Sequence, residues 1–155
     1  MPMSRWPNEG YVRIATVPAK GKLTYTDERP KRWTEEKDLW LYGYWFHDWA
    51  DTYEKVASLD TEKKEITLAP PFAGYGYRKN QRFCAVNVLC EIDRPGEWYL
   101  DRASGILYFY PPSDPGAATV QLSMLSAPIV QMDGAAHVTL QGLVLELGRA
   151  GGIVV

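Results

Sequence analysis

The stretch that most restricts the fold of this chain is Glu97–Pro112, EWYLDRASGILYFYPP, entered through Asp93-Arg94-Pro95-Gly96. Two aromatic-rich runs, Trp98-Tyr99-Leu100 and Ile106-Leu107-Tyr108-Phe109-Tyr110, flank Asp101-Arg102-Ala103-Ser104-Gly105. The polar and glycine content between them suits a hairpin loop of about three to five residues. Rings favour a pleated, half-buried surface, and Pro111-Pro112 ends the ladder because neither residue has a backbone N–H to donate. A β-hairpin serving as a central ribbon is expected here. Asp101 should fold back on the loop as an Asx-type turn, and Glu97 should pair with an arginine.

The same grammar recurs along the first three-quarters of the chain. Val12 and Ile14 alternate with Tyr11 and Arg13 as in a half-buried strand, and Leu23–Thr26 makes a second short one. Asp27–Asp38, DERPKRWTEEKD, has Trp33 as its one apolar residue and reads as a solvated loop or a single helical turn, with Thr34 as N-cap. Leu39–Phe46 is apolar on both alternating faces, so a strand covered on two sides is expected. Tyr53–Leu59 alternates again, Asp60–Lys64 turns, and Glu65–Ala69 returns, the pattern of an antiparallel meander. Pro70–Tyr77, PPFAGYGY, is a loop because its prolines and glycines break any ladder. In Asn80–Ile92, Phe83, Val86, Leu89 and Cys90 share a helical face. Its Val-rich stretches also suit a strand, but a short helix stopped before Pro95-Gly96 is the expectation. Ala118–Ser123 is expected to form a further strand.

Beyond Ser126 the character changes. Pro128–Met132, His137–Leu140, Leu143–Glu146 and Ile153–Val155 are short β runs separated by corners at Asp133–Ala136, Gln141-Gly142 and Gly148–Gly152. Short strands with small-residue corners and no hairpin signal suit the first coil of a parallel β-helix. One such coil cannot bury its own apolar face and relies on the next. On this pattern the chain divides into an antiparallel β-sandwich or open barrel over residues 1–126 and a truncated parallel β-helix over 127–155. Leu143, Leu145, Ile153 and Val155 should then form an exposed apolar patch.

Composition narrows the function classes. Of 155 residues, 46% are hydrophobic and 23% charged, the balance of a globular chain. The formal net charge of −2 lacks the basic footprint of a nucleic-acid binder. No apolar run reaches the roughly 20 residues a membrane span needs, and the first ten residues lack the apolar core of a signal peptide. Cys84 and Cys90 would stand about 240° apart around a helix or about 20 Å apart along a strand, too far for a disulfide and therefore two buried free thiols.

Several motifs together resemble a known family. They are Arg5–Gly10 (RWPNEG), Gly43-Tyr44-Trp45 with Asp48–Asp51, Asn87–Asp93 (NVLCEID), Pro95–Asp101 (PGEWYLD) and Gly105–Pro112 (GILYFYPP). This order is similar to the inserted middle β-domain of bacterial right-handed parallel β-helix proteins related to glycoside hydrolase family 141. His137–Leu143, Gly148-Arg149 and Gly151–Ile153 resemble the point where that insertion returns to the helix. Cys90 departs from the family, which usually has an acidic residue there. The resemblance implies a non-catalytic insertion module of a secreted or periplasmic polysaccharide-degrading enzyme, although no signal peptide is present in this sequence. Its partners would be the remainder of the parent β-helix and polysaccharide. The resemblance also places the catalytic carboxylates on later coils, outside this chain.

The residues themselves offer two kinds of chemistry. Asp48 and Asp51, with His47 and Trp49, form a polar cluster at a strand end, and a glycosidase needs two carboxyls about 5–10 Å apart with one pKa raised. Tyr75 and Tyr77 in their glycine loop, together with Trp49, are candidates for contact with the C–H face of a pyranose ring. The carbohydrate-contact candidates are therefore Tyr75, Tyr77, Trp49, Asp48 and Asp51. No catalytic residue is assigned, no cofactor is implied, and no Cys/His spacing matches a metal site. The alternatives to an insertion module are a free-standing carbohydrate-binding or adhesin module and a complete small hydrolase built on Asp48 and Asp51.

Overall fold

A computed structural model describes residues 1–155. The chain is all-β and its larger sheets are antiparallel. Its strands are β1 (Arg5–Trp6), β2 (Val12–Arg13), β3 (Thr16–Ala19), β4 (Lys22–Thr24), β5 (Trp40–Tyr44), β6 (Asp51–Asp60), β7 (Glu65–Leu68), β8 (Arg82–Val86), β9 (Trp98–Asp101), β10 (Ile106–Phe109), β11 (Val130–Gln131) and β12 (Ile153–Val154). Two units divide it, Met1–Ser113 and Asp114–Val155. No helix is long and apolar enough to cross a membrane.

In the first unit one eight-stranded sheet runs β1-β8-β5-β6-β7-β4-β3, with β2 also on β8. The long strand β6 serves both halves. Asp51–Lys55 pairs with β5, and past a register shift between Val56 and Ser58 the remainder pairs with β7. Residues 12–16 then join the two ends of the sheet. Val12 pairs with Phe83 on β8, the Ile14 N–H donates to the Gln81 carbonyl, and the Ala15 N–H donates to the Thr24 carbonyl. The sheet thus curls round one core, in which Leu41, Trp45, Phe83 and Ala85 from one half meet Leu23, Ile66 and Leu68 from the other, with Ile14 between. Gly43 is a requirement of this core, because a Cβ there would come within 2.7 Å of the Arg82 carbonyl oxygen and 2.8 Å of the Phe83 Cβ.

Several expectations are corrected. Asn80–Ile92 is not a helix. Arg82–Val86 is a central strand bonded to β5 on one side and to β1 and β2 on the other, and only Leu89–Glu91 makes a 3₁₀ turn. Tertiary pairing has overridden a helical phase that four apolar positions mimicked. The turn in the charged segment lies earlier than Thr34: it spans Arg29–Trp33, opened by the Asp27 carboxylate accepting from the Arg29 N–H at 2.8 Å with Pro30 near its start, and it ends at Thr34. β5 is not covered by a second layer. Its outer residues Trp40, Tyr42 and Tyr44 are half-buried by neighbouring side chains, among them Tyr53 at 4.8 Å from Tyr42 and the Arg82 guanidinium at 3.9 Å from Tyr44.

The 97–112 hairpin forms as expected, but it is not central. β9 and β10 make a two-stranded sheet of their own. Asp101 makes the Asx turn, accepting from the Ala103 N–H at 2.9 Å and the Ser104 hydroxyl at 2.6 Å, while Gly105 takes a positive φ of 75°. Glu97 is buried and accepts from the backbone N–H groups of Asp93 and Arg94, each at 2.9 Å, instead of an arginine side chain. The free edge of β9 is taken by the N-terminal residues: the Ser4 N–H donates to the Trp98 carbonyl and the Trp98 N–H to the Pro2 carbonyl. The Asn87 side chain adds two bonds to the Leu100 backbone. These bonds tie β9 to the unit's body, whereas Ile106, Leu107 and Tyr108 of β10 are exposed on both faces.

Beside the core lies a buried ion cluster. The Glu91 carboxylate, fully buried, accepts from the Arg29 guanidinium at 2.5–3.1 Å and from the Trp33 indole N–H at 2.8 Å. Of the two free cysteines Cys84 is buried, but Cys90 is half-exposed, and burial with the nearby Glu91 and Glu36 raises its thiol to about 11.

The second unit holds one parallel strand pair, Val130 opposite Ile153 and Gln131 opposite Val154. The Val130 N–H donates to the Gly152 carbonyl and the Met132 N–H to the Val154 carbonyl. No residue of this unit is buried. Ala118–Ser123, His137–Leu140 and Leu143–Glu146, expected as strands, carry no ladder, for no neighbouring strand lies alongside to accept and donate. Leu143, Ile153 and Val155 are exposed and Leu145 half-exposed.

Candidate functional site

The candidate residues gather where two loops meet at one end of the first unit's sheet. One loop, residues 45–50, joins β5 to β6; the other, residues 69–81, joins β7 to β8. They are tied by the Arg78 N–H donating to the Trp45 carbonyl at 2.8 Å and by the Gln81 side-chain amide donating to the Phe46 carbonyl at 2.5 Å. The loops are brought together because β8 lies beside β5 with Arg82 opposite Tyr44.

On this frame sits a cluster of rings. The Trp49 indole lies on the His47 imidazole, centroids 5.0 Å apart and planes 13° from parallel. Tyr75 meets both edge-on, at 5.0 Å from His47 and 5.3 Å from Trp49. Phe46 continues the cluster at 4.8 Å from His47. Trp49 and Tyr75 remain 69% and 59% exposed, so large apolar faces stand in water with no layer above them.

Tyr77, two residues from Tyr75, turns the other way. Gly76 takes a positive φ of 77°, and beyond it Tyr77 enters the core edge-on to Trp45 at 5.7 Å. The Tyr77 hydroxyl accepts from the Ala73 N–H at 3.2 Å and donates to the Glu54 carboxylate at 3.1 Å. Thr52 links the same carboxylate to the Trp45 indole. Tyr77 is thus the anchor that holds the loop presenting Tyr75, and it is not itself at the surface of the cluster.

The two acids of the strand end are both engaged by side chains. Asp48 accepts from the Arg82 guanidinium at 2.5 Å, and that bond pulls its pKa below the ordinary range. Asp51 accepts from the Tyr42 hydroxyl at 2.5 Å. A general acid needs a raised pKa, which is the opposite of what Arg82 does to Asp48. The carboxyl that burial does push up, Glu54, is 3% exposed and faces the core beneath Tyr77, out of reach of a substrate. No group of three or more His, Cys, Asp or Glu side chains is placed to hold a metal ion.

What the site can do chemically is stack and bind. Tyr75, Tyr77 and Trp49 were legible in the sequence as candidate contact rings; Tyr75 and Trp49 are exposed, whereas Tyr77, expected exposed beside Tyr75, turns inward. The stacking of His47 on Trp49 and the contact of Phe46 with His47 arise within one loop whose conformation no spacing signals, and Arg78 reaches Phe46 only because the β5–β8 pairing brings the second loop alongside. Compared with known proteins, the chain matches no family model, no curated protein and no solved structure.

Proposed function

We propose that this chain is a non-catalytic module of a polysaccharide-degrading glycoside hydrolase of the parallel β-helix type. Residues 1–126 act as a β-sandwich or open-barrel insertion in a right-handed parallel helix, and 127–155 are the start of that helix. The parent works in a secreted or periplasmic setting, and the Trp49–Tyr75 loops touch its glycan.

The observation that carries this reading is the contrast within the chain. A unit with a full core is followed by one whose strand pair is parallel and whose apolar residues are all left unburied. Strands that return in parallel after a span within the roughly 20–50 residues of a solenoid repeat need a further coil to cover them. Glycan contact is supported by the exposed Trp49 and Tyr75 rings, whose apolar faces suit the C–H face of a pyranose. The engagement of Asp48 by Arg82 and of Asp51 by Tyr42 supports a module without hydrolytic chemistry of its own. A free-standing platform module would present coplanar rings, whereas Trp49 and Tyr75 meet at 73°.

The test is direct. The chain, incubated with a panel of plant and bacterial polysaccharides, should release no reducing ends, yet should be retarded in native gels containing its cognate polymer. Trp49→Ala should abolish the retardation. Product that disappears with Asp48→Asn or Asp51→Asn would overturn the non-catalytic assignment, and absence of retardation across the panel would remove the glycan contact.

A further inference from the structure

The surroundings of the ring cluster point to the charge of its ligand, a step that rests on the glycan contact proposed above. The Arg78 guanidinium lies 5.4 Å from the Phe46 ring centroid, and through Phe46 it adjoins the continuous run His47, Trp49, Tyr75. Arg78 is exposed and makes no ion pair and no side-chain hydrogen bond, so all five of its N–H donors are free. Lys79 beside it is also exposed and unpaired. Lys20, likewise exposed and unpaired, reaches to 5.5 Å from the ring of Phe72, which belongs to the same loop as Tyr75.

The acids nearby offset these cations only in part. Asp48 pairs with Arg82 and also feels the charge of Arg78, Asp51 keeps its charge because its partner Tyr42 is neutral, and Glu54 is buried in the core, so three carboxyls stand against Arg78, Lys79, Lys20 and Arg82. In a chain whose formal net charge is −2, this end of the sheet therefore carries a local excess of positive charge beside open aromatic faces. A guanidinium fork matches a carboxylate in a bidentate plane, and a ring face matches a pyranose. Single-stranded nucleic acid also combines anions with stacking surfaces, but its binders follow successive phosphates along a basic groove, whereas here one free guanidinium with a neighbouring lysine stands beside the rings, a match to a single carboxylate.

We propose that the loops 46–50 and 72–79 bind a uronate-bearing glycan, with Trp49 and Tyr75 against a sugar ring and Arg78, supported by Lys79, on its carboxylate. The experiment is titration calorimetry of the full chain with a galacturonate hexamer, its carboxyl-reduced counterpart and a thymidine oligonucleotide. The uronate should bind at least about fivefold more tightly than the reduced hexamer. Arg78→Gln should weaken the uronate about two- to fivefold and leave the reduced sugar unchanged. Trp49→Ala should weaken both about tenfold or more. Both side chains are exposed, and near-UV circular dichroism verifies that the variants remain folded. Equal binding of uronate and reduced hexamer overturns the charge assignment while leaving glycan contact intact. Binding of neither sugar overturns both, and tighter, Trp49-dependent binding of the oligonucleotide overturns the proposal in favour of nucleic acid.

Discussion

In Met1–Ser113 the apolar residues Ile14, Leu23, Leu41, Ile66 and Phe83 are at most 1% exposed, whereas in Asp114–Val155 Val120, Leu143, Val144 and Val155 stand 59–86% exposed. Both stretches alternate apolar and polar residues at strand spacing. The difference is closure: β6 bends to serve two halves of one sheet and residues 12–16 join its ends, so side chains from every strand converge. A single parallel pair has no facing layer, and its apolar residues have nothing to be buried against. An alternating sequence thus specifies which face wants cover without supplying the cover.

The comparison is broken most decisively by matched truncations. Trp45→Ala should cost about 3–5 kcal/mol in urea unfolding of the chain, since it empties the centre of the core and removes the indole bonds to Thr52. Leu143→Ala should change the same midpoint by less than about 0.5 kcal/mol. A cost for Leu143→Ala comparable to that of Trp45→Ala would show that the second unit is covered in solution. The same contrast is sharpened by Leu143→Ser combined with Val144→Ser, which should lower binding of a hydrophobic dye and reduce self-association without moving the unfolding midpoint.

Smaller but still large is the effect expected at Glu91. Glu91→Gln keeps the side chain's shape and loses the charge that Arg29 grips, so it should destabilise the first unit by about 1.5–3 kcal/mol in the same urea assay. The burial of this acid was not legible in the sequence. Glu91 follows Cys90 in what looked like a helical face, and nothing in the spacing shows that Arg29 and Trp33 will close on it. What was legible had local causes: the Asx turn at Asp101, the loop at Pro70–Tyr77 and the alternation of Glu65–Leu68 are each set by neighbours in the chain. What failed depended on distant partners. Arg82–Val86 became a strand because β1, β2 and β5 flank it, and the hairpin became peripheral because β9 and β10 pair only with each other and with no strand of the larger sheet. At the site, Tyr75 could be named as an exposed ring and Trp49 as a candidate contact, but Tyr77 was expected outside with Tyr75, and its inward turn hangs on Gly76 and on a carboxylate more than twenty residues back in the chain.

That carboxylate supplies the smallest expected effect and the one most specific to the loop frame. Glu54 is buried with hydroxyl donors from Tyr77 and Thr52 but no cation, and burial raises its pKa above the ordinary 4.5. The folded state therefore binds a proton more readily than the unfolded chain between 4.5 and the raised value. Across that window stability falls as pH rises; the penalty is absent below the unfolded pKa and complete above the folded one. Glu54→Gln removes the charge and keeps an acceptor for the Tyr77 hydroxyl, so it should raise the unfolding midpoint at pH 7 and leave it nearly unchanged at pH 4. Because Tyr77 anchors the loop that presents Tyr75, the same variant should leave glycan retardation intact if the hydroxyl bond survives, while Glu54→Leu, which removes the acceptor, should weaken it. A Glu54→Gln chain less stable at pH 7 than at pH 4, relative to wild type, would mean that the carboxylate is stabilised by a partner other than these two hydroxyls.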